Sequence, residues 1–342
     1  MKVGPYDLPG AYTGDAVGML GEIPDESIHR CITSPPYWGL RSYLPEDSPQ
    51  KGAELGAEKT IEEYVANMVE VFREVRRVLR DDGTLWLNLG DCYAATGKSG
   101  GSSSRGQGAK WDACGAQTTG PRGGKWSPAP PGLKPKDLCL IPYRVALALQ
   151  ADGWYLRSNI VWAKGISFCE SYSGRAMPES IKDRPTSAHE SVFLLSKSER
   201  YYYDQGAVRE ALRHPNAVVK AGFGGDKRNG DAIYSGNKYL ADQQEGGRNL
   251  RNVWVIPPNG YKGSHYAVFP PELVVPMVEA GCPIGGVVLD PFMGSGTTGQ
   301  VAESRGRLWL GFDLDERNAK LIKKRTAQTS LLGLATVAPS HR

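Results

Sequence analysis

The sequence predicts an α/β protein in which a mostly parallel, twisted sheet is flanked by helices. Three observations carry this. The last quarter of the chain alternates strand, turn, helix, strand and helix, an order that builds parallel sheet. The N-terminal half repeats the alternation around one long helix of 3.6-residue periodicity. The chain has 342 residues, 40% hydrophobic and 23% charged. That suffices for one large domain with insertions and argues against global disorder.

In chain order, Ile28 to Thr33 predicts a buried strand that runs into Ser34-Pro35-Pro36-Tyr37. From Thr60 to Leu79, the residues Ile61, Tyr64, Val65, Met68, Val71, Phe72, Val75 and Val78 recur at helical spacing. Asp81-Asp82-Gly83 is expected to stop this helix before a strand over Thr84 to Leu89. Leu138 to Ala151 predicts a helix, and Tyr155 to Trp162 and Ser191 to Ser196 predict strands. Gly286 to Asp290 is a short apolar strand pattern ending in an acid, followed by a Gly/Ser/Thr turn from Pro291 to Gly299. Thr298 to Ser304 should be helical, Arg307 to Phe312 a strand, and Asp315 to Gln328 a charged amphipathic helix.

Two segments lack periodicity. Thr96 to Pro135 is rich in Gly, Ser and Pro and is expected to be a long mobile loop, which inside a compact domain is usually functional or disordered. Gln205 to Gly263 is polar, glycine-rich and basic, and reads as an inserted lobe. The expected organisation is therefore one domain in two halves, 1–204 and 264–330. The basic loop sits at about 96–135 in the first half, the insert occupies 205–263, and 331–342 is a disordered tail.

The net charge is only +4, but its distribution is uneven. Thr96 to Lys136 carries seven Lys/Arg against one acid, and Gln205 to Lys262 nine against five. An acidic body with two basic appendages suits a polyanion-binding enzyme, and equally a pair of solvated loops. Charged residues interrupt the longest apolar stretches, Arg144 in one and Glu272 and Glu279 in the other, which excludes a membrane-spanning helix. Met1 to Gly10 has no apolar run of signal-peptide length. The six cysteines, at 31, 92, 114, 139, 169 and 282, form no Cys-x-x-Cys pair. No metal site, reduced thiols and a cytoplasmic location are the expectations.

Gly294-Ser295-Gly296-Thr297-Thr298-Gly299 fits a glycine-rich nucleotide turn between strand and helix, with Asp313 ending the next strand. Asp290, just before the turn, would repel a pyrophosphate at the helix N-terminus and attract an amine instead. S-adenosylmethionine offers an ammonium, a sulfonium and a ribose but no phosphate. Asp290 could take the ammonium and Asp313 the ribose hydroxyls. The Ser34-Pro35-Pro36-Tyr37 turn removes two N–H donors, leaving the Ser34 hydroxyl and the Pro35 carbonyl as acceptors beside an aromatic face. That rim suits a planar base bearing an exocyclic amine; a bare proline turn capping a strand is the plainer reading.

Together, Thr33-Ser34-Pro35-Pro36-Tyr37-Trp38 and Asp290-Pro291-Phe292-Met293-Gly294-Ser295-Gly296-Thr297-Thr298 resemble the motifs of the DNA amino-methyltransferases. The serine form resembles the N4-cytosine type, and the order, catalytic motif first and cofactor motif last, resembles the circularly permuted beta class. Ser264 to Glu272, Thr84 to Asp91 and Asp183 to Glu190 are similar to further family stretches. The resemblance implies a Rossmann-like, S-adenosylmethionine-dependent methyltransferase fold with an inserted target-recognition lobe. It implies Ser34, Pro35, Pro36 and Tyr37 at the reacting base. Asp290, Pro291, Phe292, Gly294, Ser295, Gly296, Thr297, Thr298, Asp313, Phe269 and Asp15 would hold the cofactor. Duplex DNA is the implied partner, with Arg105, Lys110, Arg122 and Lys125 of the loop on its backbone. In the lobe, Arg209, Arg213, Arg228, Arg248 and Arg251 would read its bases. A cognate restriction endonuclease is the protein partner such an enzyme would have. N6-adenine methylation, methylation of RNA or of a protein glutamine, and a DNA-binding module without catalysis are the alternatives.

Overall fold

The computed structural model describes residues 1–39, 44–45, 47–94, 129–169, 174, 179, 181–211, 247–258 and 269–333, with side chains to residue 327. Strands β1 (Lys2–Val3) and β2 (Tyr6–Asp7) make a small antiparallel ribbon. The main sheet has eight strands. They are β3 (Gly10–Thr13), β4 (Ile28–Thr33), β5 (Leu79–Leu89), β6 (Tyr155–Ala163), β7 (His189–Ser196), β8 (Val253–Val255), β9 (Val287–Asp290) and β10 (Leu308–Asp313). The spatial order is β3-β10-β9-β4-β5-β7-β6-β8. The strands pair in parallel except around β7, which runs antiparallel to both neighbours.

Helices α1 (Ala16–Gly21), α2 (Ile61–Val78) and α3 (Ile141–Ala151) supply the core on one face. Helices α4 (Pro271–Gly281), α5 (Thr297–Ser304) and α6 (Arg317–Gly333) supply the other. The period-2 alternation of the strands divides the two cores: Cys31, Leu85, Phe193 and Leu289 face the first, and Ile32, Trp86, Val192 and Val288 the second. Helix α2 buries the stripe expected of it, from Ile61 to Val78. Its start is fixed by a capping box in which Thr60 Oγ1 accepts from the Glu63 amide while the Glu63 carboxylate accepts from the Thr60 amide.

Several boundaries depart from the sequence expectation. Asp81-Asp82-Gly83 does not break the chain; β5 begins at Leu79 and absorbs these residues in a bulge between Ile28 and Arg30 of the partner strand. Gly83 is needed there, because a Cβ would lie 2.9 Å from the Arg80 carbonyl oxygen. Val253–Val255 lies within 205–263 yet pairs with β6 as the edge strand of the main sheet. Helix α6 runs to Gly333, past the start of the expected tail at 331. Cys92 is disulfide-bonded, against the expectation of reduced thiols throughout, whereas Cys31, Cys139, Cys169 and Cys282 are thiols outside any disulfide. Among the described residues no helix is long and apolar enough to cross a membrane, and no group of His, Cys, Asp or Glu could hold a metal.

The chain leaves β9 toward β10 on one side and β4 toward β5 on the other. The boundary between β9 and β4 is therefore a topological switch point, and a crevice opens at the carboxyl ends of these strands.

Candidate active site

That crevice holds a cavity of about 560 Å³, within the usual range for small-molecule sites. The turns after β4 and β9 meet in it. Ser34, Pro35, Pro36 and Tyr37 line one side; Pro291, Phe292, Gly294, Ser295, Thr297 and Asp313 line the other, with Asp15 and Phe269 completing the wall. Two motifs more than 250 positions apart thus share one cavity because their strands are neighbours.

The glycine turn is held from behind. Gly294 and Gly296 adopt positive φ, at 53° and 89°, which glycine does without strain. A Cβ on Gly296 would lie 3.1 Å from the Ile322 backbone, so the turn also lets α6 pack closely. Asp313 lines the cavity and accepts from the Gly294 amide at 2.7 Å. Its other oxygen accepts from the Asp315 amide at 2.8 Å and from Asn318 Nδ2 at 2.9 Å. Arg325 on α6 donates to the hydroxyls of Ser295 and Thr297.

Asp290 sits behind the wall rather than on it. It is 1% exposed, and its carboxylate accepts from Thr33 Oγ1 at 2.7 Å, Thr298 Oγ1 at 2.6 Å and the Phe292 amide at 3.1 Å. It therefore latches the end of β4 to the glycine turn. Burial, with a smaller push from Asp313, lifts its carboxyl to about 6 despite those three donors. Gly296 and Thr298 likewise support the turn from outside the lining, and Asp15 caps α1 by accepting from the Gly18 amide at 2.9 Å.

On the other side, the Tyr37 ring is wedged against the backbone after β5. A Cβ on Gly90 would come within 2.5 Å of the Tyr37 ring. The Tyr64 hydroxyl holds the Pro36 carbonyl at 2.9 Å, and Trp38 Nε1 donates to the Glu58 carbonyl at 3.0 Å. The Tyr37 hydroxyl is not idle. It accepts from Ser34 Oγ at 3.2 Å and lies 2.7 Å from Glu190 Oε2 and 3.1 Å from Asn88 Oδ1. Lys164 forms an ion pair with the other oxygen of Glu190 and lies 4.8 Å above the Trp162 ring.

Asn88, Trp162, Lys164 and Glu190 all line the cavity, and sequence reasoning missed them as site residues. Asn88 and Glu190 fell inside stretches that resembled the family, but nothing local marks their side chains as functional. They meet through the β5–β7–β6 register, which pairs Asn88 with Val192 and Trp162 with Glu190.

The electrostatics discriminate between ligands. The described lining residues include Asp15, Glu54, Glu70, Glu190, Asp313 and Asp315 against the single cation Lys164. A pyrophosphate would be repelled there, whereas an ammonium–sulfonium ligand with ribose hydroxyls fits.

Of the expected DNA contacts, Arg105, Lys110, Arg122, Lys125, Arg213 and Arg228 lie outside the described residues. Arg248 and Arg251 both pair with Glu210, at 2.8 Å each. Glu210 and Arg248 also exchange backbone hydrogen bonds at 2.9 Å, a neck that joins residues 38 positions apart. The two guanidinium groups hold the Glu210 carboxyl down at about 2, chiefly through the Arg251 hydrogen bond.

The sequence model of the DNA methylase family matches residues 28–324. The chain belongs to that family. Two relatives of this DNA methylase are type II methyltransferases, M.SmaI from Serratia marcescens and M.Cfr9I from Citrobacter freundii. Each is 40% identical to it over 91% of this chain, spanning 88% and 86% of the relatives. Among solved structures, the cytosine-N4-specific PvuII DNA methyltransferase superposes with a TM-score of 0.57 at 18% identity, over 95% of this chain and 91% of its own. A Thermus thermophilus protein solved in complex with S-adenosyl-L-methionine gives 0.53 at 21%, over 93% of both chains. At these identities the structural likeness establishes the α/β fold.

Proposed function

We propose that this DNA methylase transfers a methyl group from S-adenosylmethionine to N4 of a cytosine turned out of duplex DNA. The observation that carries the reading is one cavity with two dissimilar walls. An acid-lined glycine turn fits a cationic nucleoside on one side, and a Ser34 hydroxyl beside the Tyr37 ring fits a base amine on the other. The likeness to type II methyltransferases and to a cytosine-N4-specific enzyme supports it.

Bound against the glycine turn, S-adenosylmethionine supplies an electrophilic methyl group. Asp15, Asp313 and Asp315 face its ammonium and ribose hydroxyls; Asp290 acts through the turn it latches. Ser34 Oγ and the Pro35 carbonyl accept the two amine hydrogens. This turns the nitrogen lone pair, otherwise delocalised into the ring, toward the methyl group, while Tyr37 stacks on the base. Positioning of this kind can account for a large share of the acceleration, and a base must leave the stack to reach such a cavity. Assignment to the circularly permuted class is supported by the chain order: the catalytic turn follows β4 near residue 34 and the glycine turn follows β9 near residue 291, although the two strands are adjacent. The enzyme acts in the cytoplasm beside a restriction endonuclease of the same site specificity. N6-adenine methylation needs the same acceptor rim and is the second reading. Mass spectrometry of nucleosides from DNA incubated with the enzyme and cofactor decides between them. N4-methylcytosine is the expected product, and N6-methyladenine alone would transfer the assignment.

DNA recognition divides between the two basic segments. The 205–263 segment, in which Glu210 pairs with the neck arginines Arg248 and Arg251, reads the site, and Arg105, Lys110, Arg122 and Lys125 hold the backbone. Neutralising those four should weaken binding to all duplexes alike and flatten its salt dependence. Glu210→Ala, which releases both neck arginines, should instead narrow the gap between target and non-target DNA. Filter binding at several salt concentrations on both duplexes checks this, and the reverse pattern would exchange the two roles.

A further inference from the structure

The hydroxyls of the catalytic turn form a chain with a direction. Ser34 Oγ donates to the Tyr37 oxygen at 3.2 Å, and Tyr37 has one proton of its own to donate. It can go to Glu190 Oε2 at 2.7 Å or to Asn88 Oδ1 at 3.1 Å. The shorter bond is to the charged acceptor, and charge-assisted bonds are the stronger. Glu190 is itself held on both oxygens: Asn88 Nδ2 donates to Oε2 at 3.2 Å, and the Lys164 ammonium sits on Oε1. Each hydroxyl proton is therefore committed to the chain that ends on Glu190. Ser34 Oγ, having donated inward, presents only lone pairs to whatever enters.

We propose that Glu190 is a positioning residue for methyl transfer, fixing Ser34 as an acceptor for the base amine and taking up the released proton through Tyr37 and Ser34. This rests on the exocyclic-amine reading above. As the nitrogen–methyl bond forms and the sulfonium–methyl bond breaks, the base nitrogen keeps both hydrogens and becomes cationic. It passes one proton to Ser34 Oγ, the original Ser34 proton moves to the Tyr37 oxygen, and the Tyr37 proton moves to Glu190 Oε2. Serine and tyrosine end as neutral hydroxyls and Glu190 as a carboxylic acid, which returns its proton to water once the product has left. The same polarity selects the substrate: an amine meets the Ser34 lone pairs as a donor, whereas a keto oxygen at that ring position would face them lone pair to lone pair.

Single-turnover methylation by the wild type, Glu190→Gln, Tyr37→Phe and the double variant tests the relay. Glu190→Gln should lose about 100-fold in rate or more, from the lower end of the span of proton-transfer contributions upward, with cofactor and DNA affinities unchanged. Tyr37→Phe, which keeps the ring, should lose a similar factor, and the double variant should be no slower than the slower single one. Glu190→Asp should recover part of the rate. Wild-type rates in either single variant, or losses that multiply in the double, would overturn the proposal. Tyr37→Phe alone is sufficient should Glu190→Gln fail to fold. Nucleoside analysis of the wild-type product separates the two levels: a methyl found elsewhere than on an exocyclic amine overturns the reading beneath, while unimpaired variants of an amine-methylating enzyme overturn the relay alone.

Discussion

Asp290→Ala is expected to abolish methylation and to weaken S-adenosylmethionine binding by about 100-fold or more, although Asp290 does not line the cavity. Its carboxylate is the common acceptor for Thr33, Thr298 and the Phe292 amide. Removing it strands two buried hydroxyls and one partly buried amide, each costing up to about 1–3 kcal/mol if left unsatisfied. The hydroxyls can rotate toward other acceptors; the Phe292 amide cannot. The cost therefore falls on the turn that carries Phe292, Gly294 and Ser295 into the cavity. Titration calorimetry with the cofactor, alongside thermal melting, checks this, and near-native affinity would show that the latch is dispensable. Asp290→Asn isolates the charge. The Asp290 carboxyl lies near 6 in the folded protein, above its ordinary value of 3.8. The folded state thus binds this proton more tightly than the unfolded one. The stability it contributes is full below about 3.8 and is lost as pH rises through about 6. The melting temperature of the Asn variant relative to wild type should accordingly rise between pH 4 and 7.

Sequence patterns reveal this site unevenly, because chemistry written along the chain is legible and chemistry assembled across it is not. The glycine turn and the Ser34-Pro35-Pro36-Tyr37 turn each occupy consecutive residues, so their backbone demands show directly. That they meet follows from parallel strands and a switch point, which the α/β alternation already predicts. The role of Asp290 was harder. An acid at a strand end next to a glycine turn looks like a ligand contact, and only the positions of Thr33 and Thr298 show that its oxygens are already occupied. Glu190 is harder still. It stands in His189-Glu190-Ser191-Val192-Phe193, which begins like a zinc motif and then lacks its second histidine. Its true partners, Tyr37, Asn88 and Lys164, come from three other parts of the chain. The short edge strand Val253–Val255 was hidden for another reason: three residues are too few for a period-2 pattern to stand out within a polar, glycine-rich stretch.

Gly90→Ala should cut turnover about 10- to 100-fold while leaving cofactor affinity intact, an effect no composition or motif would suggest. The glycine is not there for its backbone freedom. It leaves room for the Tyr37 ring, since an added Cβ would sit 2.5 Å from one ring carbon and 2.8 Å from the next. The backbone at Gly90 directly follows β5, a strand buried in mid-sheet, so the ring must give way rather than the strand. A displaced ring loses its stacking surface, worth roughly 1–3 kcal/mol per base. It also pulls its hydroxyl away from Ser34 and Glu190. Tyr37→Ala should remove both contributions at once and be at least as damaging. The pair then makes a sharper test than either alone. With the ring gone, a methyl group at residue 90 has nothing to strike, so Gly90→Ala should cost almost nothing further in the Tyr37→Ala background. Steady-state turnover of the four proteins, with cofactor binding measured separately, decides the matter. Independent, multiplying losses would mean that Gly90 acts through the strand and not through Tyr37. Full activity in Gly90→Ala would mean that the ring has room to move and that its observed placement is not what the reaction requires.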